Sequence, residues 1–192
     1  MLEKIKKLRE KTGAGIIDIK KALAEADGDE QKAIEILRKR GQEKAIKKSE
    51  RSAKEGIIAS YVHSNQKVGA IVELFCETDF VARTDEFKEL AKDIAMHITA
   101  MNPKYAKPTD VPADIIAKER EIWTEQLKNE GKPGNILEKI LEGKEKKFRE
   151  ELSVLTQPFI KNPEITVGEL ISEKVGKIGE NIQLGRFIRL EL

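Results

Sequence analysis

Residues 73–83 constrain this chain more than any other segment. The run that leads into them, residues 68–75, is apolar and β-branched, which predicts a strand buried on at least one face. Asp79 and Phe80 follow just past the end of that strand, and Thr84 can cap a helix that begins there. The short link should therefore lie rigidly at the surface. Either Phe80 folds back under its own helix, or its pocket belongs to a partner.

Length and charge exclude several classes of protein. The chain has 192 residues, enough for one compact domain or two small ones. Its 36 basic and 34 acidic side chains nearly cancel, so no global field favours nucleic acid or a membrane surface. Cys76 is the single cysteine, so no intrachain disulfide can form. With no apolar leader and no apolar run of ~18 residues, we expect a cytoplasmic protein without a membrane partner.

The first part of the chain predicts three short helices within residues 1–40. We expect the third helix to stop at Gly41, because glycine is common just past a helix end. Residues 38–55 form a polar run that we interpret as a solvated helix or linker between modules, with the charged linker at 41–55. A basic nucleic-acid arm is the alternative, but no aromatic or glycine-rich recognition element accompanies these charges.

The remainder, residues 56–192, predicts a second unit. Strands at 56–63 and 68–75 form a hairpin, and a helix over 85–101 carries an apolar stripe at helical spacing. Three further features complete it: a helical hairpin whose second arm is divided at Gly143, a capping box at Thr166 and Glu169, and a last strand within residues 179–190. Because a two-stranded hairpin is marginal in water, we expect that strand to join it as a third, antiparallel one. The predicted fold class is α+β, a three-helix bundle followed by a three-stranded antiparallel sheet packed by helices and a helical hairpin.

The sequence lacks the groupings that catalysis requires. Residues 12–15 are too short for a phosphate-binding loop and lack its lysine. His63 and His97 stand apart on different elements, and a single cysteine completes no metal-ligand spacing. Cys76 lies beside a buried strand, where a thiol is usually inert. Trp123 reads as a packing anchor on a charged helix. We therefore predict a non-enzymatic protein with no cofactor and no bound metal.

Two motifs resemble the signatures of one known family. The first is Thr78-Asp79-Phe80-Val81, with Cys76-Glu77 before it and Ala82-Arg83 after it. The second is the pattern from Leu8 to Leu23, which contains Thr12-Gly13-x-Gly15 and Asp18-x-Lys20. Both resemble elongation factor Ts, in that family's order, and further similar segments extend over essentially the whole chain. The amino-terminal region (1–40) is also similar to a ubiquitin-associated-type three-helix bundle.

The resemblance implies a function and a set of contact residues. Members of this family are guanine-nucleotide exchange factors of the translation GTPase elongation factor Tu. By resemblance, Thr78, Asp79, Phe80 and Val81 would insert beside the Mg²⁺ site of that GTPase and dislocate the metal. A second set, from the amino-terminal signature, would dock on its nucleotide domain: Arg9, Thr12, Gly13, Gly15, Asp18 and Lys20.

Two departures from the family pattern bear on the expectations. The family usually carries Asn before the cysteine, where this chain has Phe75. The chain also resembles the compact members, which lack a second half of the core. Those members are understood to pair their core sheets as homodimers, so residues 56–192 are expected to serve as a core and dimerisation domain.

Two other classes of protein remain as alternatives. An adaptor that binds partners through a ubiquitin-associated-type bundle would leave residues 56–192 unexplained. A basic RNA- or ribosome-associated protein would show strongly salt-dependent binding, which the nearly neutral charge does not favour.

Overall fold

The computed structural model describes residues 2–12, 14–130 and 133–192. The helices are α1 (Leu2–Thr12), α2 (Ile16–Glu25), α3 (Glu30–Lys48), α4 (Asp79–Ala82), α5 (Asp85–Met101), α6 (Ala113–Asn129), α7 (Gly134–Glu151) and α8 (Val167–Ile178). The strands are β1 (Glu55–Val62), β2 (Val68–Cys76), β3 (Pro158–Phe159), β4 (Asn162–Thr166) and β5 (Gln183–Glu191). No helix in these ranges is long and apolar enough to cross a membrane. The architecture is α+β, as predicted.

The three amino-terminal helices pack around a small core of their own. Leu8 and Ile19 are fully buried in it, and Leu23 nearly so. The expected end of the third helix at Gly41 is wrong, since α3 continues to Lys48. The physical reason is that one interior glycine costs a helix only about 1 kcal/mol, and α3 packs on α8 at this point, where a Cβ on Gly176 would lie 3.7 Å from the Cα of Gly41.

The extension of α3 takes in part of the expected linker. Residues 41–48 are helical, and α3 packs along α8. The division into a bundle (1–40), a linker (41–55) and a core (56–192) stays a prediction.

The sheet has the predicted topology. Its order is β1-β2-β5, with both neighbours antiparallel to β2. Helix α5 covers one face, and its buried stripe includes Phe87, Leu90 and Ile94. Strand β2 turns alternate side chains toward that helix, which places the core between the sheet and α5.

Helices α6 and α7 lie side by side as the predicted helical hairpin. The expected break at Gly143 is wrong, because α7 is continuous from Gly134 to Glu151. Trp123 packs edge-on against Phe148 with ring centroids 5.5 Å apart, which confirms its packing role. The turn predicted between these helices falls partly on residues 131–132, outside the described residues.

A short β3–β4 ribbon, which the sequence did not predict, packs beside α5 and α8. Buried His97 joins it to α5: Nδ1 accepts from the Ile160 amide at 3.3 Å, and Nε2 lies 3.0 Å from Gln157 Oε1. Burial lowers the pKa of His97, while the Gln157 bond opposes that shift. The capping box of Thr166 and Glu169 at the start of α8 is confirmed.

Candidate partner-binding site

The link between β2 and α5 contains a one-turn helix that the sequence did not predict. Thr78 begins it, with its hydroxyl accepting a 3.4 Å hydrogen bond from the Val81 amide. Thr84 caps the following helix, as expected, by accepting from the Phe87 amide at 3.3 Å. Two threonine caps, six residues apart, thus bracket α4 (Asp79–Ala82) and fix where it starts and where the next helix begins.

Glu180 braces the start of α4 from a distant part of the chain. One carboxylate oxygen, Oε2, accepts from the amides of Glu77 and Thr78 at 3.1 and 3.0 Å. The other, Oε1, accepts from the Thr78 hydroxyl at 2.6 Å. Charge-assisted bonds of this kind are stronger than neutral ones, so they hold the backbone before α4 firmly.

Asn181, the residue after Glu180, donates a hydrogen bond back to the segment that Glu180 holds. The amide of Asn181 donates to Glu77 Oε1 at 2.7 Å. The Asn181 side chain, which is 2% exposed, donates from Nδ2 to the carbonyl of Arg51 at 2.7 Å and to that of Ser49 at 3.4 Å. We call Glu77, Thr78, Glu180 and Asn181 the α4 clamp. Sequence reasoning missed Glu180 and Asn181 as site residues, because no local pattern shows that they meet Thr78.

Phe80 is presented to solvent by this brace. Its side chain is 78% exposed, so the alternative in which it folds back under its own helix is wrong. Asp79 is half exposed and pairs with Arg83 at 2.8 Å, one helical turn later. Val81 packs instead against the core beneath. The structure thus brings a carboxylate and an aromatic ring together on an outward-facing turn.

Cys76 takes no part in this surface. It is fully buried, and its thiol donates to the Thr78 carbonyl at 3.2 Å. Burial, with a contribution from the negative charge of Glu180, raises the pKa of the Cys76 thiol to about 11. The predicted burial of this residue is confirmed, and an un-ionised thiol is a poor nucleophile and a poor metal ligand. No cluster of three or more potential ligands for a metal ion occurs in the part of the chain that the structure describes.

Phe75, the departure from the family pattern, packs across the sheet. It pairs with Gly56 on one side and with Gln183 on the other. A Cβ on Gly185 would collide with the Phe75 ring, so the ring occupies the space that this glycine leaves open. The supporting strand therefore makes a packed contact at Phe75, one residue before its end and two before the first residue of the α4 clamp.

The amino-terminal signature residues divide into two groups. Arg9 and Lys20 are exposed. The hydroxyl of Thr12 donates to the Leu8 carbonyl at 2.7 Å, and Asp18 pairs with Lys44 of α3 at 2.8 Å. The Lys44 hydrogen bond is the main cause that lowers the pKa of Asp18.

The remaining members of that signature are glycines. Gly15 is the residue before α2 and has an ordinary φ of −65°. Gly13 lies outside the described residues. Thr12, Gly15 and Asp18 line one groove of about 310 Å³ between the amino-terminal helices and α8, whereas Arg9 and Lys20 do not line it.

The sheet face that points away from α5 carries an apolar patch. On β2 and β5, Ile71 and Ile188 lie opposite each other and are 47% and 62% exposed. Other exposed apolar side chains extend the same face: Ile58, Val62 and Leu190. We call these five residues the outer sheet patch. Contiguous exposed apolar surface of this kind is typical of an interface between proteins.

Comparison with known proteins decides the family. Residues 3–175 match the family described as Elongation factor TS. The chain belongs to the elongation factor Ts family. It is 56% identical over 188 residues to elongation factor Ts of Carboxydothermus hydrogenoformans, covering 98% of this chain and 87% of that protein. To elongation factor Ts of Fervidobacterium nodosum it is 55% identical over 188 residues, covering 98% and 95% respectively.

Membership in the elongation factor Ts family confirms the resemblance seen in the two signatures and makes the chain a translation elongation factor. The match extends far beyond the amino-terminal helices, into the core that the adaptor alternative left unexplained.

Proposed function

We propose that this chain is a guanine-nucleotide exchange factor that binds elongation factor Tu in its GDP form and promotes GDP release and GTP loading. The observation that carries the proposal is Phe80, 78% exposed on a turn that is braced from behind. An exposed aromatic on a rigid support gains burial only when a partner supplies the pocket. Family membership, through relatives named elongation factor Ts, supports this partner.

The mechanism follows from what Asp79 and Phe80 can do. A GTPase holds GDP through Mg²⁺ and a loop whose amides bind the phosphates. We propose that Asp79-Phe80 inserts near that Mg²⁺ site and displaces the metal. Because Mg²⁺ demands nearly ideal octahedral geometry, small shifts of its ligands strongly weaken its binding. A loss of ~4 kcal/mol in nucleotide affinity would speed release on the order of a thousandfold if it appears in the off-rate.

The exchange factor needs no contact with the guanine base. It has only to bind the nucleotide-free GTPase better than the loaded one, and linkage then makes the effect reciprocal, so nucleotide weakens its binding in turn. The direction from GDP to GTP comes from the excess of GTP in the cell. On this proposal the chain is not an enzyme, and it performs no covalent step.

A second contact is proposed for the amino-terminal signature. Arg9 and Lys20 are exposed and can reach a partner directly. The Thr12 hydroxyl accepts from the Ala14 amide at 3.3 Å in the connection between α1 and α2, and Asp18 pairs with Lys44 of α3. Gly13 and Gly15 belong to the same proposed contact. This module would dock on the nucleotide domain of elongation factor Tu while Asp79-Phe80 acts at the metal.

The outer sheet patch supports a homodimer. Two copies that pair their sheets face to face would bury Ile71, Ile188 and their neighbours, which water otherwise surrounds. We propose this arrangement, in the cytoplasm, with no direct nucleic-acid contact and no membrane contact.

The experiment that tests the proposed function is the release of a fluorescent GDP from purified elongation factor Tu. Addition of the wild-type chain should accelerate release, and excess GTP should then fill the site. No acceleration at any concentration of the chain would contradict the function.

A further inference from the structure

We propose that Glu180 is a positioning residue, which fixes the direction in which α4 presents Asp79 and Phe80 to the partner. The inference rests on the proposed exchange function, because it assigns a new role at the same site. Glu180 lies in the turn after α8 and is 102 residues away from Thr78 along the chain.

The first step of the argument is the size of α4. A helix of four residues, Asp79–Ala82, cannot be stable by itself, because helix nucleation is unfavourable. Its direction must therefore be set by contacts with the rest of the fold. Ala82 is buried and Val81 packs on the core at its end, and its start depends on the residues before it. Glu180 holds both amides there, those of Glu77 and Thr78, and also the Thr78 hydroxyl.

The second step is the rigidity of the turn that carries Glu180. Gly179 ends α8 with a φ of 92°, a conformation that glycine adopts without strain. Its carbonyl accepts from Lys48 Nζ at 2.5 Å, and Asn181 binds the carbonyls of Ser49 and Arg51. The same turn thus holds the end of α3 and the start of α4. It links the amino-terminal module to the exposed Phe80 through hydrogen bonds on both sides.

The third step separates positioning from general stability. Phe80 contributes little to the core, since it is 78% exposed. A change in the direction of α4 should therefore disturb exchange far more than folding. Glu180 supplies charge-assisted hydrogen bonds, about twice as strong as neutral ones, to the start of α4. The exposed ring of Phe80 adds little packing that could hold α4 in place.

The test compares Glu180→Ala, Glu180→Gln and a matched control, Glu169→Ala. Glu169 makes similar bonds elsewhere: it accepts from the amide and hydroxyl of Thr166 at 2.8 and 3.3 Å, and from Gln42 at 3.2 Å. For each full-length variant, release of fluorescent GDP from elongation factor Tu is measured across concentrations. The readouts are the maximal rate and the half-saturating concentration.

We expect Glu180→Ala to lower the maximal rate about tenfold while the half-saturating concentration changes less than about threefold. Glu180→Gln should recover most of the rate, because its amide can still accept from the two backbone amides and can donate to the Thr78 hydroxyl. Glu169→Ala should keep the wild-type maximal rate. In the Glu180→Ala protein, amide hydrogen exchange should rise at Glu77 and Thr78 but not along α5.

Three results would overturn the inference. One is a wild-type maximal rate in Glu180→Ala, and another is an equal loss in Glu180→Ala and Glu169→Ala, which would indicate general destabilisation. The third is a Glu180→Gln protein whose maximal rate of GDP release is as low as that of Glu180→Ala, although unchanged amide hydrogen exchange along α5 shows that it is folded. If the wild-type chain itself fails to accelerate release, the exchange function falls and this inference falls with it. A fast wild type with an equally fast Glu180→Ala removes the inference alone.

Discussion

The Thr78 hydroxyl donates a 2.6 Å hydrogen bond to the carboxylate of Glu180, which approaches from the far end of the chain. The same hydroxyl accepts from the Val81 amide and so begins α4. One side chain therefore couples the local helix start to the long-range brace. Phe80 follows two residues later in the helix that these contacts begin, and its side chain is 78% exposed.

Thr78→Val should show whether Thr78 does more than an ordinary helix cap. The change removes the hydroxyl but keeps the shape of the side chain, and we expect it to lower the free energy of unfolding by about 1–2 kcal/mol. Thr84→Val is the control, since Thr84 caps α5 but does not bond to Glu180. Urea denaturation measures the stability of both variants. Only Thr78→Val should also slow GDP release from elongation factor Tu, and equal rates in the two variants would contradict the account.

Removal of Mg²⁺ should reduce the factor by which the chain accelerates GDP release. If Asp79-Phe80 acts by displacing the metal, chelation performs the same step in advance. The ratio of GDP release with and without the chain should therefore fall at least about tenfold when a chelator replaces Mg²⁺ in the buffer. Stopped-flow release with a fluorescent GDP measures this ratio. An unchanged ratio would mean that the chain acts elsewhere on the GTPase.

The buried thiol of Cys76 predicts a loss of stability in alkali. The pKa of this thiol is raised to about 11 in the folded protein from 9.0. The unfolded chain therefore loses its proton first, so the stabilising contribution is complete below pH 9.0 and is lost as the pH rises toward 11. Urea denaturation across this range should show a steeper decline for wild type than for Cys76→Ala. Equal declines would contradict the buried, protonated thiol.

His97 predicts the opposite dependence in acid. Burial lowers its pKa below 6.5, and its Nδ1 already accepts from the Ile160 amide, so protonation requires that bond to break. The unfolded state binds the proton more readily, so this contribution is complete above pH 6.5 and is lost as the pH falls. Between about pH 7 and about pH 5, wild type should lose more stability than His97→Gln in urea denaturation. The same loss in both proteins would refute the prediction.

The outer sheet patch predicts the oligomeric state. Wild type should sediment as a dimer that dissociates on dilution. Ile71→Lys should weaken dimerisation at least about tenfold, because it places a charge in the apolar patch, beside Ile188 of the same sheet, and the dimer would bury that charge. Ile46→Lys is the control, since Ile46 is 69% exposed but lies on α3, away from the patch. A wild-type monomer at all concentrations, or equal effects of the two lysines, would contradict the sheet-to-sheet dimer.

Local patterns predicted much of this fold. The apolar spacing of Phe87, Leu90 and Ile94 marked α5, and Thr166 with Glu169 marked the start of α8. The errors came from contacts that are distant in sequence. Gly41 reads locally as a helix end, yet it lies inside α3 where α8 approaches closely at Gly176.

In the candidate site, too, the local features could be predicted and the long-range contacts could not. Asp79 and Phe80 stand out in the sequence because a charged and an aromatic side chain follow a buried strand. Their support could not be predicted, because Glu180 lies 102 residues from Thr78 along the chain and meets it only through the tertiary fold. Gly143, in the interior of α7 with open space around it, does not break that helix, because one glycine lowers helix stability by only about 1 kcal/mol.

The most direct test of the central claim is GDP release by Phe80→Ala compared with wild type, each at saturating concentration. Ile46→Ala serves as the control for loss of an exposed apolar side chain. We predict that wild type and Ile46→Ala accelerate release from elongation factor Tu equally, on the order of a thousandfold, and that Phe80→Ala loses at least about tenfold of this. Release by Phe80→Ala as fast as by wild type would contradict the claim that Phe80 drives exchange.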